Sequence, residues 1–110
     1  MTTVWRKKAY EMFGFEPGSY SYAHGKVDLF ADLLEMARRA ARTGDSAMLD
    51  RVFEYVGWAD KQIAENLRSS ADITFFIPMF SDDELLREAS KRLSPAVLEA
   101  KRALALETAD

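Results

Sequence analysis

The sequence predicts an all-α protein: one compact domain over residues 1–110, with five or six helices around a central antiparallel helical hairpin. The first observation behind this is the stretch Asp45–Ser69. Met48, Leu49, Val52, Phe53, Val56, Ala59, Ile63 and Leu67 recur there at the three-and-four spacing of a helix with one buried stripe. The second is the brevity of the Thr43-Gly44 link before it, which makes the preceding helix its antiparallel neighbour. The third is a set of helix-start signals at Asp45, Ser81 and Ser94, side chains able to accept from the open amides of a first turn.

In chain order, Thr2 or Thr3 can cap a short first helix carrying Val4, Trp5, Ala9, Met12 and Phe13, and Gly14 ends it. GFEPGSYSYAHG follows, with Pro17-Gly18 suited to a type II turn because proline presets φ and glycine accepts a positive one. The Ser-Tyr-Ser-Tyr after it alternates, and is too isolated for a sheet. The next helix runs from about Val27 to Arg42, with Val27, Phe30, Leu33, Leu34, Ala37, Ala40 and Ala41 as its stripe. Its acids come early and its arginines late, as the helix dipole favours, and Glu35 and Arg39 form an i,i+4 pair.

Beyond the central helix, ADITFFIPMF is too densely apolar to face solvent, and Pro78 forbids a regular helix interior. A short helix kinked or ended near Pro78 is the expectation. Ser81-Asp82-Asp83-Glu84 has the form of a capping box opening a helix through Leu85, Leu86, Ala89 and Leu93. Ser94-Pro95 repeats the start signal for a last helix, Ala96 to about Thr108, whose Val97, Leu98, Ala100, Leu104 and Leu106 should turn toward neighbours.

Composition narrows the function classes. A chain of 110 residues with 48% hydrophobic and 30% charged residues can bury a real core without staples. It has no cysteine, which removes disulfides and thiol chemistry and suits a reducing compartment. No apolar run approaches the ~20 residues of a membrane span, and charges interrupt the N-terminus where a signal peptide needs its apolar region. A cytoplasmic, soluble protein with no membrane partner is expected. The net charge is −3, with seven basic and five acidic residues up to Arg42 and eight against thirteen after it. That acidic second half suits a partner protein with a basic surface, and no basic face is concentrated enough for nucleic acid.

Trp58 lies mid-arc on the polar back of the central helix, with Tyr55 at the edge and Asp50, Glu54 and Glu65 around it. Aromatics beside charges make a binding hot spot, unless another segment covers that face. Tyr20 and Tyr22 form a second recognition candidate, since Tyr/Ser/Gly loops are adaptable contact surfaces; the same loop could instead pack as a lid on the core. Asp60 flanks the apolar arc and needs a partner, for which an arginine of the second helix is the nearest prospect. His24 stands alone, short of any zinc set or catalytic triad, and Asp82-Asp83-Glu84 is explained by the helix cap. No catalytic, metal-binding or cofactor-binding set is placed, so the expectation is a non-enzyme without cofactors.

FADLLEMARRAARTGDSAMLDRVFEYVGWADKQIAENLRSSADITFFIPMF resembles small helical bacterial proteins, some of which look like immunity proteins encoded beside polymorphic toxins. The matching residues are Gly44-Asp45, Arg51-Val52-Phe53, Tyr55 and Trp58. Those proteins end the apolar segment in a polar turn with acids and histidine, where this chain has Phe76-Ile77-Pro78-Met79-Phe80; that turn's polar site has no counterpart here. The resemblance implies an inhibitory antagonist of a bacterial effector, acting by occlusion; a phage-encoded inhibitor of a host defence would use the same physics. The competing expectation is a small-ligand or peptide-binding module walled by Tyr20, Tyr22, Trp58 and Phe75/Phe76.

Overall fold

A computed structural model describes residues 4–16, 18–20, 25–62 and 66–108. Among them are six helices and no strand: α1 Val4–Phe13, α2 Gly25–Thr43, α3 Ser46–Asp60, α4 (residues 67–79), α5 Asp83–Arg92 and α6 Pro95–Thr108. Thr2, Thr3, Pro17, Tyr22, His24, Ile63 and Glu65 lie outside the described residues.

The α2–α3 hairpin is the centre. Gly44 adopts φ 74°, and the Asp45 amide donates to the Ala40 carbonyl at 2.9 Å, so the end of α2 is closed by the residue that opens α3. The Asp45 carboxylate then accepts from the Met48 amide at 3.1 Å. One helix is thus stopped and the next started within three residues. Between them Leu29, Phe30, Leu33, Ala37, Leu49, Val52, Phe53 and Val56 are buried. Val27, expected in the stripe, is 47% exposed, and Leu29 takes its place. Glu35 reaches Arg42 at 4.0 Å rather than Arg39, while Arg38 meets Asp82 of the α4–α5 link at 3.5 Å.

The helix expected to run to Ser69 stops at Asp60. Its last carbonyls find other donors: the Lys61 amide serves Trp58 and Ala59, the Gln62 side chain serves Trp58, and Arg68 Nε serves Asp60 at 2.6 Å. After residues 61–66, where Asn66 has φ 56°, the chain restarts as α4.

Helix α4 absorbs Pro78 by widening. Leu67–Ala71 is α-helical, Asp72–Phe76 is a π turn, and Ile77–Met79 returns to α. Proline has no amide for the Thr74 carbonyl and its ring crowds that oxygen. The π turn ahead of it relieves the clash, with the Ile77 amide donating to the Asp72 carbonyl. The adjacent Phe75 and Phe76 are both fully buried, and Phe75 meets Phe53 edge-on at 5.7 Å.

At the next boundary the cap is Asp82 rather than Ser81. Asp82 Oδ1 accepts from the Leu85 amide at 3.1 Å, and Ser81 Oγ donates back to the Pro78 carbonyl at 2.7 Å. Ser94 caps α6 as expected, accepting from the Val97 amide at 3.2 Å. The face of α6 is corrected in part: Val97, Leu98 and Leu104 are partly buried, as expected, whereas Ala100 and Leu106 are exposed. Leu106 is 68% exposed, no apolar side chain of the helix is fully covered, and the buried residue is Lys101.

Candidate functional site

Helix α3 is held on two sides. Its apolar stripe faces α2 and α4, and α1 lies across its back through the buried Trp5 and Ala9. Tyr55, expected at the edge of the polar arc as a binding residue, is therefore fully buried. Its hydroxyl donates to the Trp5 carbonyl at 2.7 Å, and its ring contacts Phe13, Phe30 and Trp58. Tyr55 is removed from the candidate binding residues because an amphipathic first helix needs somewhere to place its own apolar side. Burial pushes its phenol well above the ordinary tyrosine range. A phenol with a raised folded pKa supports stability fully below the unfolded value of about 10 and loses that support as pH rises through the folded value. The expected outcome is lower stability in alkali for the wild type. Tyr55→Phe should cost about 1–2 kcal/mol near neutrality and weaken that alkaline dependence, as urea unfolding against pH would measure.

Trp58, one turn further on, is half-buried, with Lys8 Nζ of α1 5.2 Å from its ring centroid. The uncovered part of the indole walls a groove of about 440 Å³. Its floor is the back of α3 from Phe53 through Gly57 to Lys61, and its far wall is the α5–α6 corner at Arg92, Leu93 and Val97. Glu54 lines it and is exposed. Asp50 lies on the same face and accepts from Arg92 Nε at 2.8 Å; Arg92 also binds Glu88 at 3.0 Å. Hydrogen bonds from Lys91 and Arg92 hold the Glu88 carboxyl below the usual carboxylate range.

Asp50, Glu54 and Trp58 thus share one continuous face, but that face is not simply acidic. Lys8, Lys61 and Arg92 border it too. Lys8 and Arg92 come from distant segments and carried no local signal. Gly57 did carry one, as an isolated glycine inside a helical pattern.

Asp60, which also lines the groove, pairs not with α2 but with Lys101 of α6, at 2.5 Å, with Arg68 at 3.7 Å beyond it. Lys101 Nζ also binds Asp72 at 2.7 Å and sits 4.8 Å from the Phe76 ring centroid. An ammonium saturated by two carboxylates is a fastening rather than a reagent. Among the described residues no three His, Cys, Asp or Glu side chains converge as a metal set would.

Tyr20 is elsewhere. With φ 61°, it donates its hydroxyl to Asp32 at 2.5 Å, accepts at its carbonyl from Arg6 Nε at 2.6 Å, and packs on Phe15. It ties the α1–α2 connection to α2 and does not line the Trp58 groove. The turn before it forms as expected at its described residues, with the Ser19 amide donating to the Glu16 carbonyl at 3.1 Å and Gly18 at φ 91°. Tyr22 and Glu65, the remaining candidate residues, lie outside the described residues.

A second depression of about 500 Å³ lies between the end of α4 and α6, beside Pro78, Phe80 and Leu106. Arg102 covers the Phe80 ring there at 5.2 Å, and among the described residues no carboxylate lines it. Among the described residues no helix is long and apolar enough to cross a membrane. The chain matches no protein-family model, no curated protein and no solved structure.

Proposed function

We propose that this chain is a non-enzymatic protein-interaction domain that docks through the Trp58 groove. In the sharper form of the reading it is an immunity-like or inhibitory antagonist that occludes a basic surface of a bacterial effector. The observation that carries the proposal is Trp58 itself. It is a half-covered indole on a helix otherwise locked into the core, open to a groove beside the exposed carboxylate of Glu54. A rigid aromatic anchor next to a charge is the arrangement by which interfaces concentrate affinity and steer encounter. The acidic surplus after residue 42 and the resemblance to small helical bacterial proteins, some of which look like immunity proteins, support the same partner chemistry. The small-ligand alternative keeps Trp58 and Phe76, which line the groove, but loses Phe75 to the core and Tyr20 to its bond with Asp32.

The test is co-expression with the product of the adjacent gene, followed by binding kinetics on the purified pair. Trp58→Ala should leave association nearly unchanged and speed dissociation by about tenfold or more. Glu54→Lys should slow association and flatten its salt dependence. A pair that fails to associate, or one indifferent to both substitutions, rejects the docking face.

A further inference from the structure

Position 57 works against its own helix. Glycine inside a helix gives up backbone entropy that alanine keeps, so it ordinarily needs a local reason. Gly25 has one, because a Cβ there would collide with the Tyr20 carbonyl. Gly57 has none: it lies in regular helix, and a Cβ built on it meets no atom within 4 Å. The missing side chain opens the floor of the Trp58 groove.

That floor has a definite polarity. Glu54 lies one turn before Gly57 and Lys61, the C-cap, one turn after, so an acidic and a basic residue are rooted roughly 10 Å apart along the axis, with the bare backbone between them. Both line the groove, and among the described residues neither has an ion-pair partner. Of the other charges at its rim, Arg92 is committed to Asp50 and Glu88 and Asp60 to Lys101 and Arg68, while Lys8 lies over the Trp58 ring.

Resting on the reading that this groove is the docking site, we infer that Gly57 is a close-approach position for an amphipathic helix of the partner. The helix carries one bulky apolar side chain over Gly57, between a basic residue facing Glu54 and an acidic residue facing Lys61. Seven residues of helix span the same rise on both chains, and Gly57 lies three residues after Glu54 and four before Lys61, so a partner helix running parallel to α3 presents these groups at i, i+3 and i+7. The apolar knob needs the space a Cβ branch at position 57 would fill, and the flanking charges reject a helix with acids at both ends.

The probe is an alanine-based helical peptide bearing Lys, Leu and Glu at that spacing, titrated into the full chain and followed by the Gly57 amide and Trp58 indole resonances. Saturable shifts at both are expected. Affinity should fall at least about tenfold when the peptide leucine becomes alanine, when both peptide charges are glutamate, or when the protein carries Gly57→Leu. Gly57→Ala, measured without peptide, should favour the folded state by roughly two- to fivefold. The inference is overturned if the matched peptide does not bind, if the leucine or the charges prove irrelevant, or if Gly57→Ala destabilises the free protein. A partner complex that still depends on Trp58 while the peptide is ignored overturns this inference alone. Indifference of the partner complex to Trp58→Ala overturns the docking reading beneath it.

Discussion

Phe53→Ala should lower stability by about 3–5 kcal/mol, near the top of the range for a single substitution. Phe53 is 4% exposed, midway along α3, and its ring meets Phe75 of α4 at 83°. Deleting it removes the transfer energy of a benzyl group and leaves a cavity that α2 and α4 cannot close without breaking their own packing. Domains of ordinary size hold about 5–15 kcal/mol in total, so the variant should melt far earlier or fail to accumulate. Urea unfolding gives the comparison, and a loss under about 1 kcal/mol would mean that the central stripe carries little of the core. Because Phe53 also borders the Trp58 groove, this variant speaks to stability and is no test of binding.

Lys101→Met should detach the last helix. No apolar side chain of α6 is fully buried, although Val97, Leu98, Leu104 and Ala105 are partly so, and hydrophobic burial therefore contributes less to its docking than it does in the α2–α3 hairpin. Its fixed point is the Lys101 ammonium between Asp60 and Asp72, with Phe76 beneath. Methionine keeps the length of the stem but leaves two carboxylates facing each other across a site 10–19% exposed. Removing one partner of a fully buried pair costs about 3–5 kcal/mol; partial solvent access brings the expected loss here to about 2–3 kcal/mol. Amide exchange should show the change where it occurs, with protection lost across Pro95–Thr108 while the α2–α3 hairpin stays protected. Adding Asp60→Asn and Asp72→Asn to Lys101→Met should restore part of the loss by removing the stranded charges. Full protection of α6 in Lys101→Met alone would show that the ion cluster is not what holds it.

These two residues mark the limit of what sequence alone reveals. Phe53 was legible because its stripe repeats within a single helix, and Thr43-Gly44-Asp45 was legible because stopping one helix and capping the next is local chemistry. Ser94 was readable for the same reason, and Pro78 announced a disturbance, although the proline did not say whether the helix would end, kink or widen into a π turn. The end of α3 at Asp60 was not legible. Its terminal carbonyls are served partly by Gln62 and by Arg68, residues that also fit a continuing helix.

What the sequence determined by itself was the class of fold, the hairpin and most helix starts, because hydrophobic period and capping act within one or two turns of chain. Which faces are covered was decided only by tertiary structure. Tyr55 sits at an arc edge on any helical wheel, and became core because α1, some 50 residues away, supplied both a packing surface and the Trp5 carbonyl. Lys101 carries no local signal of burial, and is buried because Asp60 and Asp72 converge on it from 41 and 29 residues away. The Trp58 groove exists for the same reason: α1 stops short of covering the indole, and the α5–α6 corner supplies the opposite wall. Burial and ion pairing depend on how distant segments meet, a relation that no local periodicity encodes.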